Sequence, residues 1–82
     1  MRYKCACCGN YTLIEKHDDI CPVCYWQEDI VQEKYPDFEG GANEVNLKQE
    51  RENYKIFDVS DKMFIDKVRK PFSNELPENN LG

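Results

Sequence analysis

The sulfur chemistry of this chain is concentrated in two short turns near its beginning. Cys5 and Cys8 form one C-x-x-C pair, Cys21 and Cys24 form another, and 12 residues separate the two pairs. A C-x-x-C turn aims both of its sulfurs at one point, so two such turns place four thiolates around a single ion. A tetrahedron of four thiolates is a preferred environment of zinc. The spacing therefore predicts one structural Zn(II) per chain, bound by these four cysteines.

Iron is the alternative metal, because four thiolates also suit iron. The second turn, Cys21-Pro22-Val23-Cys24, has the Cys-Pro-x-Cys form that is favoured in rubredoxin. Zinc is redox-inert, and a site with four protein ligands has no position for a catalytic water. A zinc site here would be structural, whereas an iron site would make the protein a rubredoxin-like electron carrier.

Two further side chains near the cysteine pairs, Cys7 and His17, could act as metal ligands or reactive groups. Cys7 lies between two predicted ligands, and it is open to three interpretations: a small buried apolar residue, a substitute ligand or a reactive thiol. His17 is the single histidine and lies in a polar turn, so we expect it on the surface. A cysteine nucleophile needs a nearby base, and no spacing pairs the carboxylates for acid–base work. We therefore expect that the protein is not an enzyme.

Length and cysteine content limit the class of protein. The chain has 82 residues, enough for one domain, and a domain of this size buries only roughly 60–65% of its unfolded surface. A structural zinc contributes roughly 10–16 kcal/mol of apparent binding energy, as much as the whole stability of a typical domain. The five cysteines are an odd number, and no apolar run resembles a membrane span or a signal peptide. These features indicate a reduced, cytoplasmic location.

Charge is unevenly distributed along the chain. The formal net charge is −5, and residues 28–44 alone carry six carboxylates against one lysine. Such a segment repels a phosphate backbone, which disfavours nucleic acid as a partner, and it suits a basic protein partner. The other interpretation is a solvated loop that keeps the protein soluble. Aromatic residues framed by charge suit an interface, and the residues expected to contact a partner are Glu28, Asp29, Glu33, Tyr35, Asp37 and Phe38.

The cysteine turns are predicted to join a short hairpin. Residues 11–14 have the β-branched and aromatic content of a strand, and polar residues lead back through Ile20 to the second pair. The result is a zinc-ribbon-like β-hairpin clamped at its open end by the metal. Trp26 is expected in the core, because so small a core needs aromatic burial. Residues 27–44 read as an irregular loop, in which Gly40-Gly41-Ala42-Asn43 forms either a tight entry into the next helix or a functional loop.

Two helices are predicted to pack on this hairpin, which makes the fold class α+β. The longer one runs from about Leu47 to Phe57 with Asn46 as its N-cap. A shorter one follows Ser60, which is its expected cap. Residues 73–82 are polar and have no periodic pattern, so they are expected to form a flexible tail. The single zinc-binding domain is thus placed at residues 1–72.

Several motifs in a fixed order resemble the bacterial cysteine-rich CPCC family. They are Cys5-x-Cys7-Cys8-Gly9, Ile20-Cys21-Pro22-Val23-Cys24-Tyr25-Trp26, Gly40-Gly41-Ala42-Asn43, Leu47 and Arg51-x-Asn53-Tyr54-x-x-Phe57. The resemblance extends over most of the chain. Two positions depart from the family pattern: Ala6 replaces the proline that names the family, and Asp58 stands where a glycine often ends the helix.

The resemblance implies a small bacterial protein that binds zinc, and some family members look like immunity proteins encoded beside polymorphic toxins. An immunity protein for a basic nuclease gains association rate from opposite charge, which agrees with the acidic segment. The expected function is therefore a non-catalytic, zinc-binding protein-interaction module, with an immunity-type inhibitor of a basic toxin as its sharper form. A rubredoxin-like electron carrier and a nucleic-acid-binding zinc ribbon are the alternatives.

Overall fold

Short helices and one two-stranded hairpin make up the computed structural model, which describes residues 2–15 and 19–80. In chain order the elements are β1 (Tyr3–Lys4), β2 (Tyr11–Leu13), α1 (Ile30–Lys34), α2 (Leu47–Phe57) and three 3₁₀ helices (Lys62–Lys67, Ser73–Glu75 and Pro77–Asn79). The predicted α+β class is confirmed. The surface position expected for His17 concerns a residue outside the described ranges.

The hairpin does not form between the segments that the sequence predicts. β2 pairs antiparallel with β1, with Tyr3 opposite Leu13, so the first cysteine turn lies at the closed end of this hairpin. The predicted return strand through Ile20 instead makes an isolated antiparallel bridge with Gln27, which encloses the second cysteine turn. Each pair of cysteines therefore has its own narrow hairpin, and the sulfurs meet between the two.

The longer helix begins and ends where the sequence predicts. The side chain of Asn46 accepts a hydrogen bond from the N–H of Gln49 at 2.8 Å, which caps the start of α2. At its end Asp58 adopts a left-handed conformation with φ of 60°, the conformation for which glycine is preferred. The helix is fastened to the first cysteine turn, because Arg51 Nε donates to the carbonyl of Ala6 at 2.8 Å.

A short helix inside the acidic segment escapes sequence prediction. Asp29 caps α1, and its Oδ1 accepts from the N–H groups of Val31 and Gln32 at 2.8 and 3.1 Å. Its other oxygen, Oδ2, accepts from the N–H of Ala42 at 2.8 Å. One carboxylate thus joins the start of the helix to the loop that follows it, so residues 27–44 are not irregular throughout.

A buried amide holds the rest of this segment in place. Gln32 is fully buried, and its Nε2 donates to the carbonyl of Asn43 at 3.0 Å while its Oε1 accepts from Asn43 Nδ2 at 2.9 Å. The Asn43 side chain also bonds the backbone of Gln27 in both directions, at 2.8 and 3.0 Å. These contacts support the tight-turn interpretation of the glycine-containing motif.

The core is small and centred on the cysteine turns. Its fully or nearly fully buried apolar members other than the cysteines are Leu13, Val23, Trp26 and Leu47. The prediction that Trp26 belongs to the core is confirmed, since the side chain has no exposed surface. Tyr54 of α2 packs against the same cluster. The helix therefore covers the sulfur-bearing turns on their apolar side.

The second predicted helix differs in both type and cap. Residues Lys62–Lys67 form a 3₁₀ helix, and Asp61 caps it by accepting from the N–H of Met63 at 3.1 Å. The prediction of Ser60 as the cap is wrong, because that residue is fully buried and its N–H donates to the carbonyl of Cys24 at 2.8 Å. This bond fixes the chain after α2 to the second cysteine turn.

The segment after residue 72 is also not the flexible tail that its composition predicts. Glu75 is fully buried, and both of its oxygens are paired with Arg69, at 2.8 and 2.9 Å. The N–H of Phe72 donates to the same carboxylate, and Arg2 lies 3.7 Å from it. A bidentate, charge-assisted pair of this kind fixes both partners. The domain therefore extends past residue 72, and residues 81–82 lie outside the described ranges.

Replacement of Gly41 by alanine should destabilise the domain more than the same change at Gly40. A Cβ at Gly41 would lie 2.6 Å from Asp29 Oδ2 and 2.9 Å from Gln32 Cδ, and relieving this overlap costs roughly 2–3 kcal/mol. Gly40 has φ of +90° and no atom within 4 Å of its Cβ position, so only the backbone cost of about 1 kcal/mol applies. Urea unfolding of the metal-loaded variants measures both. Equal losses would contradict the packing described for Asp29 and Gln32.

Candidate metal centre

The two cysteine turns have the same backbone structure. In the first, the N–H of Gly9 donates to the carbonyl of Cys5 at 2.9 Å; in the second, the N–H of Tyr25 donates to the carbonyl of Cys21 at 2.8 Å. The N–H of each leading cysteine in turn donates to the carbonyl five residues later, at 2.8 and 2.9 Å. Both turns are therefore closed by the same two bonds, which point each pair of sulfurs in one direction.

The residue that ends each turn has a left-handed backbone. Gly9 has φ of 84° and Tyr25 has φ of 68°. This conformation costs a residue with a side chain about 1–2 kcal/mol, whereas glycine adopts it freely. The second turn thus closes without glycine, and the ring of Tyr25 packs against that of Phe64 with centroids 4.6 Å apart. This packing is a tertiary contact that offsets part of the backbone cost.

The four cysteines predicted as ligands come together in space. The Sγ atoms of Cys5 and Cys24 are 3.6 Å apart, those of Cys8 and Cys21 are 3.8 Å apart, and all four lie within 4.8 Å of one another. A tetrahedral ion with bonds of about 2.3 Å to sulfur requires sulfur–sulfur distances of about 3.8 Å. The distances are too long for disulfides, which need about 2.05 Å. The cluster can therefore hold one metal ion.

Burial raises the pKa of the cluster thiols, whereas the hydrogen bonds among them lower the pKa of some and raise that of others. Cys5, Cys21 and Cys24 are fully buried. Bonds from Cys24 and Cys5 lower the pKa of the Cys21 thiol, and the Thr12 hydroxyl, 2.9 Å from Cys21 Sγ, acts in the same direction. The corresponding bonds with Cys21 and Cys5 raise the pKa of Cys24. Four thiolates this close require a cation between them, so metal binding releases protons and depends on pH.

Cys7 lies outside this cluster. It is 7% exposed and belongs to the apolar core, and among the described residues the grouped metal-binding side chains are the other four cysteines. Of the three interpretations open from the sequence, burial as a small apolar residue is the one that this position supports.

Two of the six predicted partner-binding residues, Glu28 and Asp29, are less exposed than the other four. Glu28 is only 5% exposed. Asp29 uses both oxygens within the chain, and the bonds from Ala42, Gln32 and Val31 hold the pKa of its carboxyl below its usual value. The predicted contact surface stays a prediction, and Glu28 and Asp29 are its least accessible members. The acidic character of a segment does not show which way each carboxylate points.

The other four predicted residues lie on the surface. Tyr35 and Phe38 are 57% and 44% exposed, and Glu33 and Asp37 are exposed as well. They follow one another over six positions at the end of α1 and in the turn after it, where the N–H of Phe38 donates to the carbonyl of Tyr35 at 2.9 Å.

Glu50 is a candidate functional residue that the sequence analysis missed. It is 2% exposed, and its Oε1 has no hydrogen-bond partner in the described part of the chain. Burial is the main cause that raises the pKa of its carboxyl to about 8, with a smaller contribution from the charge of Asp61. The nearby Ser60 hydroxyl opposes the shift without reaching hydrogen-bond geometry with Oε1. The sequence does contain an indication of this burial. Glu50 lies on the same face of α2 as Leu47 and Tyr54, and that face is the buried one.

The hairpin, the helices and the sulfur cluster together define a small cysteine-rich domain with a candidate metal site. The chain belongs to the family described as "Cysteine-rich CPCC", whose model matches residues 3–75. The match runs to the buried carboxylate of Glu75 and so includes the first three residues of the segment that composition alone assigns to a tail. A search of curated proteins finds no match. Within residues 2–15 and 19–80, no helix is long and apolar enough to span a membrane.

Loss of one cluster cysteine should abolish metal binding, whereas loss of Cys7 should not. Cys24→Ser removes a buried ligand, so its effect should exceed the roughly 10–100-fold loss of affinity that removal of an outer hydrogen-bond partner causes. Cys7→Ser removes a thiol that is also buried but lies outside the cluster, and this control should retain one metal per chain. Elemental analysis and circular dichroism measure metal content and folding. A Cys24→Ser protein that binds metal as the wild type does would contradict the assignment.

The raised pKa of Glu50 predicts a decrease of stability as the pH rises. Between an unfolded pKa of about 4.3 and the folded value of about 8, the folded protein holds a proton that the unfolded chain has lost. The free energy of unfolding should therefore fall between about pH 5 and pH 8, by at most about 1.4 kcal/mol per pH unit. Glu50→Gln keeps the shape and removes the titrating group, so the difference between wild type and variant isolates this effect from the thiols, from Asp61 and from Glu44. Parallel stability profiles for the two proteins would contradict it.

Proposed function

We propose that this protein is a non-catalytic, zinc-stabilised module that binds a basic protein partner through the surface of residues 30–38. Its sharper form is an immunity-type inhibitor of a basic toxin. We call this surface the interaction face, and its members are Ile30, Val31, Glu33, Tyr35, Asp37 and Phe38.

The observation that carries the proposal is the exposure of large apolar side chains on the interaction face. Ile30 is 60% exposed, Val31 44%, Tyr35 57% and Phe38 44%. A domain of 82 residues has little apolar surface to spare, yet four large side chains within nine consecutive residues point outward. Apolar patches rimmed by polar residues are typical of protein interaction sites.

The interaction face is held in a defined shape before any partner arrives. Gln32 lies on the opposite side of α1, fully buried, and bonds the loop at Asn43. Asp29 fixes the start of the helix and the loop at Ala42. A surface that is already ordered loses little conformational entropy on binding, which favours affinity.

The charge around these apolar side chains favours a basic partner. Three acidic residues in this segment are exposed: Glu33, Asp37 and Glu39. The lysine of the segment, Lys34, has its ammonium group 5.6 Å from the centre of the Tyr35 ring. Opposite charge raises the rate of association and suppresses wrong partners. An inhibitor that must capture a basic toxin quickly gains most from this arrangement.

Zinc is the metal that fits this role. The cluster has four protein ligands and three of the four are fully buried, so the ion can serve to join the two hairpins without a position for substrate. The elemental analysis described above also distinguishes the metals. One zinc in a colourless protein agrees with the proposal, whereas one iron with visible absorption would favour a rubredoxin-like electron carrier.

Changes on the interaction face should weaken binding in two separable ways. Glu33→Gln with Asp37→Asn removes two charges and should lower the association rate, most strongly at low salt. Tyr35→Ala with Phe38→Ala removes apolar contacts and should raise the dissociation rate, with a loss of about 2–4 kcal/mol for residues at the centre of an interface. The measurement is the binding kinetics, at two salt concentrations, with the protein encoded by the neighbouring gene.

Asp66→Asn with Glu78→Gln provides the matched control, because both residues are exposed and the change in charge is the same. This control should bind as the wild type does at both salt concentrations. Unchanged kinetics for both interaction-face variants, in a wild-type complex that does form, would remove the proposed surface.

A further inference from the structure

A cavity of about 320 Å³ opens between the second cysteine turn, the loop before α2 and the 3₁₀ helix Lys62–Lys67. Its apolar wall includes Ile20, Tyr25, Val45 and Phe64. The two aromatic rings pack together at 4.6 Å with an angle of 39° between their planes. The cavity is distinct from both the sulfur cluster and the interaction face, and it is large enough for a small organic group.

The polar lining of this cavity includes three acidic side chains. Glu50, Asp61 and Glu44 all line it, and within the described ranges its lining residues include no lysine or arginine. The nearest base in sequence, Lys62, has its ammonium 4.6 Å from the centre of the Phe57 ring, and Phe57 is not part of the lining. The cavity therefore combines apolar walls with acidic side chains, and none of the described residues that line it is a lysine or arginine.

The buried side chain of Glu50 is the feature of this cavity that indicates a ligand. Its residue is 98% buried, and Oε1 has no hydrogen-bond partner among the described residues. An unpaired buried polar group costs roughly 1–3 kcal/mol, and native proteins tolerate such a group mainly where a bound molecule or a function requires it. Ser60 Oγ, which lies close enough to influence Glu50, is also buried without a partner.

The chemistry of the lining selects the kind of ligand. Carboxylates repel anions and accept hydrogen bonds from ammonium or guanidinium groups, and the faces of Tyr25 and Phe64 attract the same cations. Among the described residues, three or more metal-binding side chains come within reach of one another only in the cysteine cluster. The cavity therefore has too few ligands for a second metal ion.

We propose that this cavity binds an alkyl ammonium or alkyl guanidinium group, with Glu50 as its buried ion-pair partner and Asp61 as a second carboxylate. The same chemistry has two sources, a lysine or arginine side chain of a protein and a free small amine. The site does not depend on the proposed function, because it is formed by the isolated chain and away from the interaction face.

The test is an NMR titration of the full, zinc-loaded chain with four probes. They are Nα-acetyl-arginine amide, Nα-acetyl-lysine amide, agmatine and Nα-acetyl-citrulline amide, of which the last has the shape of arginine without its charge. The cationic probes should shift the signals of Tyr25, Phe64 and Glu50 with millimolar affinity, and citrulline should bind at least about tenfold more weakly because it leaves the carboxylate without a charged partner. Tighter binding of the amino-acid amides indicates a protein side chain as the ligand, and tighter binding of agmatine indicates a free amine.

Two variants on the same helix separate the ion pair from general effects on folding. Glu50→Gln keeps the side-chain shape and should weaken the binding of the cationic probes about tenfold or more. Glu52→Gln is the matched control, because Glu52 lies on the exposed side of α2, and it should bind as the wild type does. An unchanged metal content and backbone spectrum show that both variants are folded.

Calorimetry in two buffers of different ionisation enthalpy adds an independent readout. A cation that pairs with Glu50 should release protons from the wild type at neutral pH and none from the Glu50→Gln variant. The proposal is overturned if citrulline binds as tightly as arginine, if Glu50→Gln binds as the wild type does, or if none of the cationic probes shifts the cavity signals.

Discussion

The convergence of four sulfurs on one point is the constraint on which the rest of the molecule depends. Neither cysteine hairpin has enough residues to be stable alone, and a cation bound by both pairs of cysteines would join them into one body. Later parts of the chain then attach to this body through its backbone. Ser60 donates to the carbonyl of Cys24, and Arg69 donates to the carbonyl of Pro22. A metal site of this kind replaces the large apolar core that so short a chain cannot build.

A second, purely polar framework organises the acidic segment. Gln32, Asn43 and Asp29 bond the backbone of the loop at several points. Gly41 leaves the space that the side chains of Asp29 and Gln32 occupy. Some of the polar residues in this stretch therefore face inward and hold its shape, while others remain on the surface. The buried side chain of α1 is the amide of Gln32 and not an apolar residue, and the apolar side chains of this helix are exposed. The same short segment therefore supplies both the buried polar contacts that fix the loop and the exposed apolar side chains of α1.

The parts of this fold that the sequence predicts are those that local patterns determine. The spacing of the cysteines identifies the sulfur cluster, and Asn46 with the following apolar positions identifies α2. The strand pairing could not be predicted, because β1 has only two residues and a propensity needs a longer run. The ordered segment around Glu75 depends on an ion pair with Arg69, which a polar, aperiodic sequence does not reveal. Likewise, the direction of each carboxylate in the acidic segment depends on tertiary contacts.

The salt bridge at Glu75 also determines where the two ends of the domain lie. Arg2 and Arg69 approach the same carboxylate, so the first strand and the last 3₁₀ turns meet at one side of the molecule. One buried carboxylate thus couples the folding of the first strand to that of the turn at Glu75, although 72 residues lie between Arg2 and Glu75 in the sequence.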